Sequence, residues 1–376
     1  MPSLTEFWYR AKKAYALYPG VVTPLSGRFL AEHYDNRAKA RGLPRILLDA
    51  AVGAGFLAWV PLRARMVQRR FGLDDTWRRN ATRIARARFA DPNDIALFRI
   101  DHADQLDGYI RRFEDAALNK AINPKGWTPG CALADKIRFY QRCAAHGLPH
   151  PQVVATIIDG HQSAPLPAVP LLLKPARGEG GLGVRFLDPG AALDPAKLRG
   201  PWLIQHRIAP HPALRDIALN ALPTARITTI FNEVGLPEVV NAVLRIPSDP
   251  AAQVDNMKAG GLLSPIDLES GALGLACKGY GGGDYSAHPV TGASIPGRIL
   301  PDWQAAKALA IDAHARAFAD YALIGWDIAF APDGPILIEG NGKPGVLMPQ
   351  RAGRKGLGNQ RYGELLRHQL LSRDRH

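Results

Sequence analysis

The run Ile324-Gly-Trp-Asp-Ile-Ala-Phe-Ala-Pro-Asp-Gly-Pro-Ile-Leu-Ile-Glu-Gly-Asn341 constrains this chain more than any other segment. Pro332-Asp333-Gly334 is a turn signal between two β-type runs, and the whole reads as a hairpin. With the turn centred on Asp333, Asp327 falls opposite Glu339 and Ile328 opposite Ile338. Alternation then sends Trp326, Ile328, Phe330, Ile336 and Ile338 to one face, and Asp327, Glu339 and Asn341 to the other. Two carboxylates facing each other across a ladder repel. A divalent cation reverses that sign, and three oxygen ligands completed by phosphate oxygens suit Mg²⁺, with Mn²⁺ as an alternate ion. The plain alternative is a pair of acids on a solvent-facing strand.

A second constellation lies upstream. Leu171-Leu-Leu-Lys174-Pro175 reads as a buried strand ending in a lysine, and it leads into Gly178-Glu-Gly-Gly-Leu-Gly183. Gly178, Gly180 and Gly183 satisfy GxGxxG, but a dinucleotide site needs its glycine turn to open a helix. Here the turn, which also contains Gly181, runs into the strand-like Val184-Arg185-Phe186. Strand, glycine loop, strand describes a flap whose backbone N–H groups can fold over phosphates, or else an ordinary glycine-rich hairpin. The pattern GxxxxGK[ST] is absent. Asp135-Lys136 opens a helix expected over Lys136 to Ala145, stopped by Gly147-Leu-Pro-His-Pro151.

The remainder of the chain sets the frame. Its 376 residues suffice for two packed units, and the net charge of +13 is concentrated at the start: residues 1–90 hold 17 Lys/Arg against 6 Asp/Glu. Such surfaces favour anionic partners. Three separated cysteines (Cys131, Cys143, Cys277) fit neither a disulfide framework nor a zinc site and point to a reducing, cytoplasmic setting. Ile46 to Leu62 is the most apolar stretch. It carries Asp49 and ends at Pro61, and it reads as a buried helix, with an interfacial helix flanked by Arg45, Arg63 and Arg65 as the alternative. Residues 1–120 read as mainly helical. A turn-rich joint, Asn123 to Gly130, precedes a region of short β-type runs: Val153–Ile158, Val169–Leu173, Trp202–Gln205, Arg226–Phe231, Glu238–Leu244, Ile324–Phe330 and Pro335–Glu339. The fold class is α+β.

The order of these features resembles the ATP-grasp superfamily, and among its members the sugar-transfer-associated ATP-grasp proteins, also described as alpha-L-glutamate ligase-like. The supporting runs are Trp202-Leu-Ile-Gln-His206, Ala225-Arg-Ile-Thr-Thr229, Asp255-Asn-Met-Lys-Ala-Gly-Gly261, His288-Pro-Val-Thr-Gly292, Gly325-Trp-Asp-Ile328 and Ile338-Glu-Gly-Asn341. The resemblance implies an ATP-grasp fold, two α+β subdomains holding ATP between them, over residues 121–350. The flap subdomain would cover about 131–205 and the metal-binding subdomain about 206–350. A helical, basic region over 1–120 would precede them, and a basic tail over 351–376 would follow.

It further implies that Lys136 and Lys174 contact ATP phosphates under the loop Gly178–Gly183, and that Gln205 and His206 offer backbone groups to the adenine. Gln205 stands where other members carry an acid. Arg226 would stabilise the transferred phosphoryl group, Asn256 and Lys258 would line the same cleft, and Asp327, Glu339 and Asn341 would bind the metal. The implied activity is ligation: a carboxylate activated as an acyl phosphate and captured by an amine or similar nucleophile. Phosphotransfer without ligation is one alternative. A non-catalytic role on an anionic surface is another, although the chain shows no motif for specific nucleic-acid binding. Peripheral membrane contact through the N-terminal region is compatible with each.

Overall fold

The computed structural model describes residues 28–40, 42–178, 180–251, 255 and 260–374. The chain divides into two compact units. One comprises residues 1–124, 231–235 and 345–376, and the other residues 125–230 and 236–344.

The first unit is helical. Its longest element, Leu43–Phe71, has a proline in its first turn and stops at Gly72, whose φ of 63° only glycine adopts without strain. Asp74 then caps the helix Asp75–Arg88 by accepting a hydrogen bond from the Trp77 backbone N–H at 2.7 Å. Further helices span Pro92–Phe98 and Arg112–Ile122. The segment expected as a basic tail folds into helices Leu347–Gly353 and Arg361–Asp374, and Tyr362, Leu365, Leu366 and Leu370 are buried. The expectation for Ile46–Leu62 is corrected. The segment is helical, but only 17% of its apolar window is buried. The hydrophobic run predicted a helix, and the packing covers just one side of it.

The second unit contains two sheets. The strands of the smaller one are β1 (Val153–Ile158), β2 (His161–Gln162), β3 (Leu171–Pro175), β4 (Arg185–Leu187) and β5 (Trp202–His206). They lie in the order β2-β1-β5-β3-β4. The glycine loop joins β3 to β4, which pair antiparallel with Leu172 opposite Phe186. The larger sheet is built from β6 (Thr224–Phe231), β7 (Pro237–Ile246), β8 (Leu262–Pro265), β9 (Ala276–Lys278), β10 (Asp284–Tyr285), β11 (Leu323–Ala331) and β12 (Gly334–Asn341). Its order is β10-β9-β8-β7-β6-β11-β12.

One face of the larger sheet supplies Ala225, Ile227, Ala242, Leu244, Trp326, Ile328 and Leu337 to the main core. There they join Phe139 of the helix Lys136–Ala145 and Trp303, Ala306 and Ala310 of the helix Trp303–Asp312. Strand alternation therefore turns Thr224, Arg226, Arg245 and Asp327 to the opposite face.

The β11–β12 hairpin pairs Asp327 with Glu339 as the sequence predicts, but Ile328 stands opposite Leu337 and not Ile338. A β-bulge between Asp327 and Ile328 accounts for the difference. Ile338 is the extra residue. Without it, Leu337, Glu339 and Asn341 would share one face by period-2 alternation. The bulge lets Leu337 enter the core while Glu339 and Asn341 stay with Asp327. It also puts Gly340 over the core, where an added Cβ would lie 2.6 Å from Leu133 Cδ2.

Candidate nucleotide and carboxylate site

Asp327 sits at the centre of the polar face of the larger sheet. It is directly opposite Arg226 of β6 on one side and Glu339 of β12 on the other. Arg226 grips it in a bidentate pair, with Nε on Oδ1 and NH2 on Oδ2 at 3.2 Å. A second guanidinium, Arg245 of β7, reaches Oδ2 at 2.9 Å. Arg245 also lies 3.4 Å from Asp255 and donates to the Thr224 hydroxyl at 3.1 Å through Nε. Asp255 in turn accepts from the Thr224 backbone N–H at 2.9 Å and from its hydroxyl at 2.6 Å.

Burial alone would raise the Asp327 carboxyl and lower the Arg245 guanidinium, yet the mutual charges reverse both effects. Asp327 is held below the usual carboxylate range by Arg226 and Arg245, and Arg245 is pushed up by Asp255 and Asp327. Burial dominates at Asp255 and raises its carboxyl. Arg245 was not anticipated from the sequence. The signal was present in the alternation of β7, where Ala242, Leu244 and Ile246 face the core and Arg245 does not.

The repulsion expected between Asp327 and Glu339 is thus relieved by protein cations. Two arginines hold Asp327, and the Lys136 ammonium lies 3.3 Å from Glu339. Protein cations already supply part of the charge that the sequence reading assigned to a divalent cation. Among the described residues no group of three or more His, Cys, Asp or Glu is gathered as a ready-made metal cluster. Two carboxylates and an amide remain a hard oxygen donor set of the kind Mg²⁺ accepts. Glu339 keeps 26% of its side-chain surface exposed, and Asn341 carries a buried Nδ2 with no hydrogen-bond partner. An unpartnered amide N–H is a donor that calls for an acceptor, such as a phosphate oxygen, and the Asn341 Oδ1 is the atom that could face a cation. Asp327 has both oxygens engaged by arginine, so it would join such a set by exchanging those contacts.

The lysines come from the helix Lys136–Ala145 and from β3. Asp135 caps that helix, accepting from the Ile137 and Arg138 backbone N–H groups at 3.1 and 3.3 Å, and this fixes Lys136 in the first turn. The Lys136 Nζ donates to the Gly178 carbonyl at 3.1 Å, tying it to the glycine loop. Lys174 is 4% exposed, and among the described residues its ammonium makes one hydrogen bond, to the Tyr140 hydroxyl at 2.8 Å. The Tyr140 hydroxyl donates to the Ile338 carbonyl at 2.7 Å, the extra residue of the bulge. Burial, reinforced by the Lys136 charge, lowers Lys174 to about 7. Among the described residues two of its N–H donors have no partner, and with the Lys136 charge nearby such a group is suited to an anion.

The glycine loop behaves as its composition predicts. Gly178, Gly180, Gly181 and Gly183 all have positive φ, at 140°, 77°, 72° and 81°, a backbone only glycine adopts freely.

The expected adenine contacts are changed in detail. The His206 backbone N–H donates to the Gln152 carbonyl at 3.0 Å, and β5 lies between β1 and β3, so backbone groups of Gln205 and His206 are drawn into the sheet. The buried Gln205 Oε1 instead lies 3.2 Å from the Tyr140 hydroxyl, whose single proton points to the nearer Ile338 carbonyl, within the network that holds Lys174. Asn256 and Lys258 lie outside the described residues. His288 is buried with Nε2 on the Pro247 carbonyl at 2.7 Å, a loop-bracing role.

Comparison with known proteins agrees with the motifs. Residues 192–363 match the family described as sugar-transfer associated ATP-grasp, which bears out the superfamily resemblance over that segment. The match covers Gln205, His206, Arg226, Asp327, Glu339 and Asn341, whereas Lys136, Lys174 and the glycine loop precede it. No curated protein sequence matches. Among solved structures, the L-amino acid ligase from Bacillus licheniformis aligns at 13% identity over 62% of this chain and 49% of its own, with a TM-score of 0.37. The D-alanine-D-alanine ligase from Coxiella burnetii aligns at 12% identity over 65% and 59%, with a TM-score of 0.39. For N5-carboxyaminoimidazole ribonucleotide synthetase from Thermotoga maritima the values are 12% identity, 55% and 41%, with a TM-score of 0.31. The chain spans about half the length of the solved structures it matches.

Proposed function

We propose that this protein is an ATP- and magnesium-dependent ligase that activates a carboxylate as an acyl phosphate and joins it to an amine or similar nucleophile. The observation that carries the reading is Lys174, a buried side chain whose one hydrogen bond among the described residues goes to Tyr140, close enough to Lys136 and Glu339 to feel both charges while Lys136 itself pairs with Glu339. Few structural roles would repay burying a lysine there. An anionic ligand repays it, since each phosphate oxygen supplies an acceptor for a charge-assisted hydrogen bond.

The residues divide the work by their chemistry. Lys136 and Lys174 hold phosphate oxygens of ATP, and Lys136 exchanges its contact with Glu339 for them. The N–H groups of the glycine loop close over the same phosphates and exclude water, which would otherwise hydrolyse an acyl phosphate. Glu339 and Asn341 would hold Mg²⁺, with Asp327 as third ligand, and the ion, when bound, supplies charge neutralisation at the phosphates.

A substrate carboxylate oxygen attacks the γ-phosphorus, and the bond to the β-phosphate oxygen breaks, giving ADP and the acyl phosphate. Arg226 and Arg245, already desolvated, offset the charge on the transferring group. An amine nitrogen then attacks the acyl carbon, loses a proton and expels phosphate.

The test is phosphate release from ATP against a panel of amino acids, sugar acids and carrier-linked carboxylates, using ¹⁸O-labelled carboxylate. The proposal expects phosphate that has gained one ¹⁸O, together with a condensed product of matching mass. A phosphorylated product with no condensation would instead mean phosphotransfer, and unlabelled phosphate with every carboxylate would overturn the acyl phosphate.

A further inference from the structure

The helix Leu43–Phe71 is long, at 29 residues, or roughly 43 Å. It turns only part of its circumference to protein. Asp49, Gly53, Val60, Ala64 and Val67 are buried, and they follow a single helical stripe. Two ion pairs mark that packed side: Arg45 to Asp49 at 2.9 Å, and Arg63 to Asp91 at 3.0 Å. The opposite side exposes Leu47 (70%), Leu62 (58%), Leu48 (53%) and Met66 (52%), separated by alanine and glycine. Trp59, 37% exposed, borders this strip with the Arg63 guanidinium 5.4 Å from its ring centroid. Single exposed leucines need no explanation, but a continuous apolar strip on one helix does.

Charge identifies the occupant. Beyond Leu62 the exposed side becomes basic, with Arg65 and Arg69 on the same face, and between residues 63 and 88 the chain holds nine arginines against two acids. On the helix Asp75–Arg88, Arg79, Arg83 and Arg86 recur on one exposed face. An apolar strip with tryptophan at its border and arginines continuing it at its C-terminal end matches the two layers of an anionic bilayer surface, acyl boundary and headgroup. A second copy of the chain would satisfy the leucines but offer no anion to the arginines of this face. A nucleic acid would satisfy the arginines and leave the leucines in water.

The helix is long and apolar enough to cross a bilayer, but spanning would carry the Arg63–Asp91 pair and the arginine-rich helix packed against it into hydrocarbon, which charged side chains oppose. We infer that this helix lies in the plane of an anionic membrane surface, with Leu47, Leu62 and Met66 seated in the acyl boundary and the arginines on phosphate headgroups. This inference does not depend on the proposed ligase activity.

The experiment is flotation of the full chain with phosphatidylcholine vesicles and with phosphatidylcholine–phosphatidylglycerol vesicles. It compares wild type, a Leu47→Gln/Leu62→Gln/Met66→Gln variant and an Arg65→Gln/Arg69→Gln variant, with circular dichroism and sedimentation velocity on each. All five positions are exposed, so the fold is retained. Wild type is expected to float with the anionic vesicles and lose most of that binding at high salt. The triple variant should bind roughly tenfold or more weakly, and the arginine variant should weaken only on anionic vesicles. Absence of wild-type binding, or unchanged binding by the triple variant, overturns the inference. So does a wild-type dimer that the triple variant dissociates, because the strip then belongs to a second copy.

Discussion

Replacing Lys174 by methionine should make the protein more stable and abolish its response to ATP. Burial lowers this lysine from the ordinary 10.5 to about 7, with Lys136 adding to the effect. The folded chain therefore resists protonation there, and the unfolded chain does not. Above pH 10.5 neither state is charged and the site costs nothing. As pH falls from 10.5 to 7 the unfolded chain takes up the proton alone, and stability drops at roughly 1.4 kcal/mol per pH unit. Below pH 7 both states are protonated and the full cost, about 5 kcal/mol, is present.

Methionine keeps the length of the side chain without the charge. Tyr140 loses one hydrogen bond, worth about 1 kcal/mol, but keeps its bond to the Ile338 carbonyl. A net gain of about 4 kcal/mol at pH 6 is expected, shrinking by about 2 kcal/mol between pH 7 and 9. Denaturant titrations of both proteins at pH 6, 7, 8 and 9 measure this, and calorimetry with Mg·ATP measures the lost binding. A variant less stable than wild type at pH 6, or a stability gap that stays constant to pH 9, would refute the account of Lys174 as an uncompensated buried ammonium.

Other perturbations separate architecture from chemistry. Asp327→Ala leaves Arg226 and Arg245 buried without their shared partner and should cost about 3–5 kcal/mol by thermal or chemical denaturation, in keeping with a broken buried ion pair. Because Asp327 is held below the ordinary carboxylate range, its stabilising pair persists at pH values above that range and is lost only as pH falls through its lowered folded value. In Arg245→Met the Asp327 carboxyl should rise, which nuclear magnetic resonance titration of side-chain carboxyls would detect. Gly340→Ala places a methyl 2.6 Å from Leu133 and 3.0 Å from Phe139. A destabilisation of about 1–3 kcal/mol by overpacking is expected, with wild-type melting as the refuting result.

Legibility in the sequence followed the range of the interactions involved. The helix Lys136–Ala145 could be placed because its start and stop signals are local: an aspartate cap and a Gly-Leu-Pro stop. The pairing of Asp327 with Glu339 could be placed because a short turn fixes the register. The bulge at Ile338 could not. It resolves a conflict between the core, which takes Leu337, and the polar face, which takes Glu339 and Asn341, and neither demand is visible from the turn.

Arg245 escaped for a related reason. Its partners Thr224, Asp255 and Asp327 are brought to it by strand pairing across the sheet, not by sequence spacing. The short strands Ala276–Lys278 and Asp284–Tyr285 carry too few residues for alternation to register. For Leu43–Phe71, hydropathy gave the helix correctly, but hydropathy does not say whether protein or something else covers an apolar face.

The central claim is that the two lysines and the carboxylate hairpin form one nucleotide site. Calorimetric titration of a non-hydrolysable ATP analogue into wild type and Glu339→Gln, each with Mg²⁺ and with EDTA, tests it most directly. Glu339 is partly exposed, so the variant keeps its fold. The account predicts that wild type binds the analogue more tightly with Mg²⁺ than with EDTA, and that Glu339→Gln loses most of that difference. Magnesium enhancement undiminished in the variant, or no binding by wild type, would contradict it.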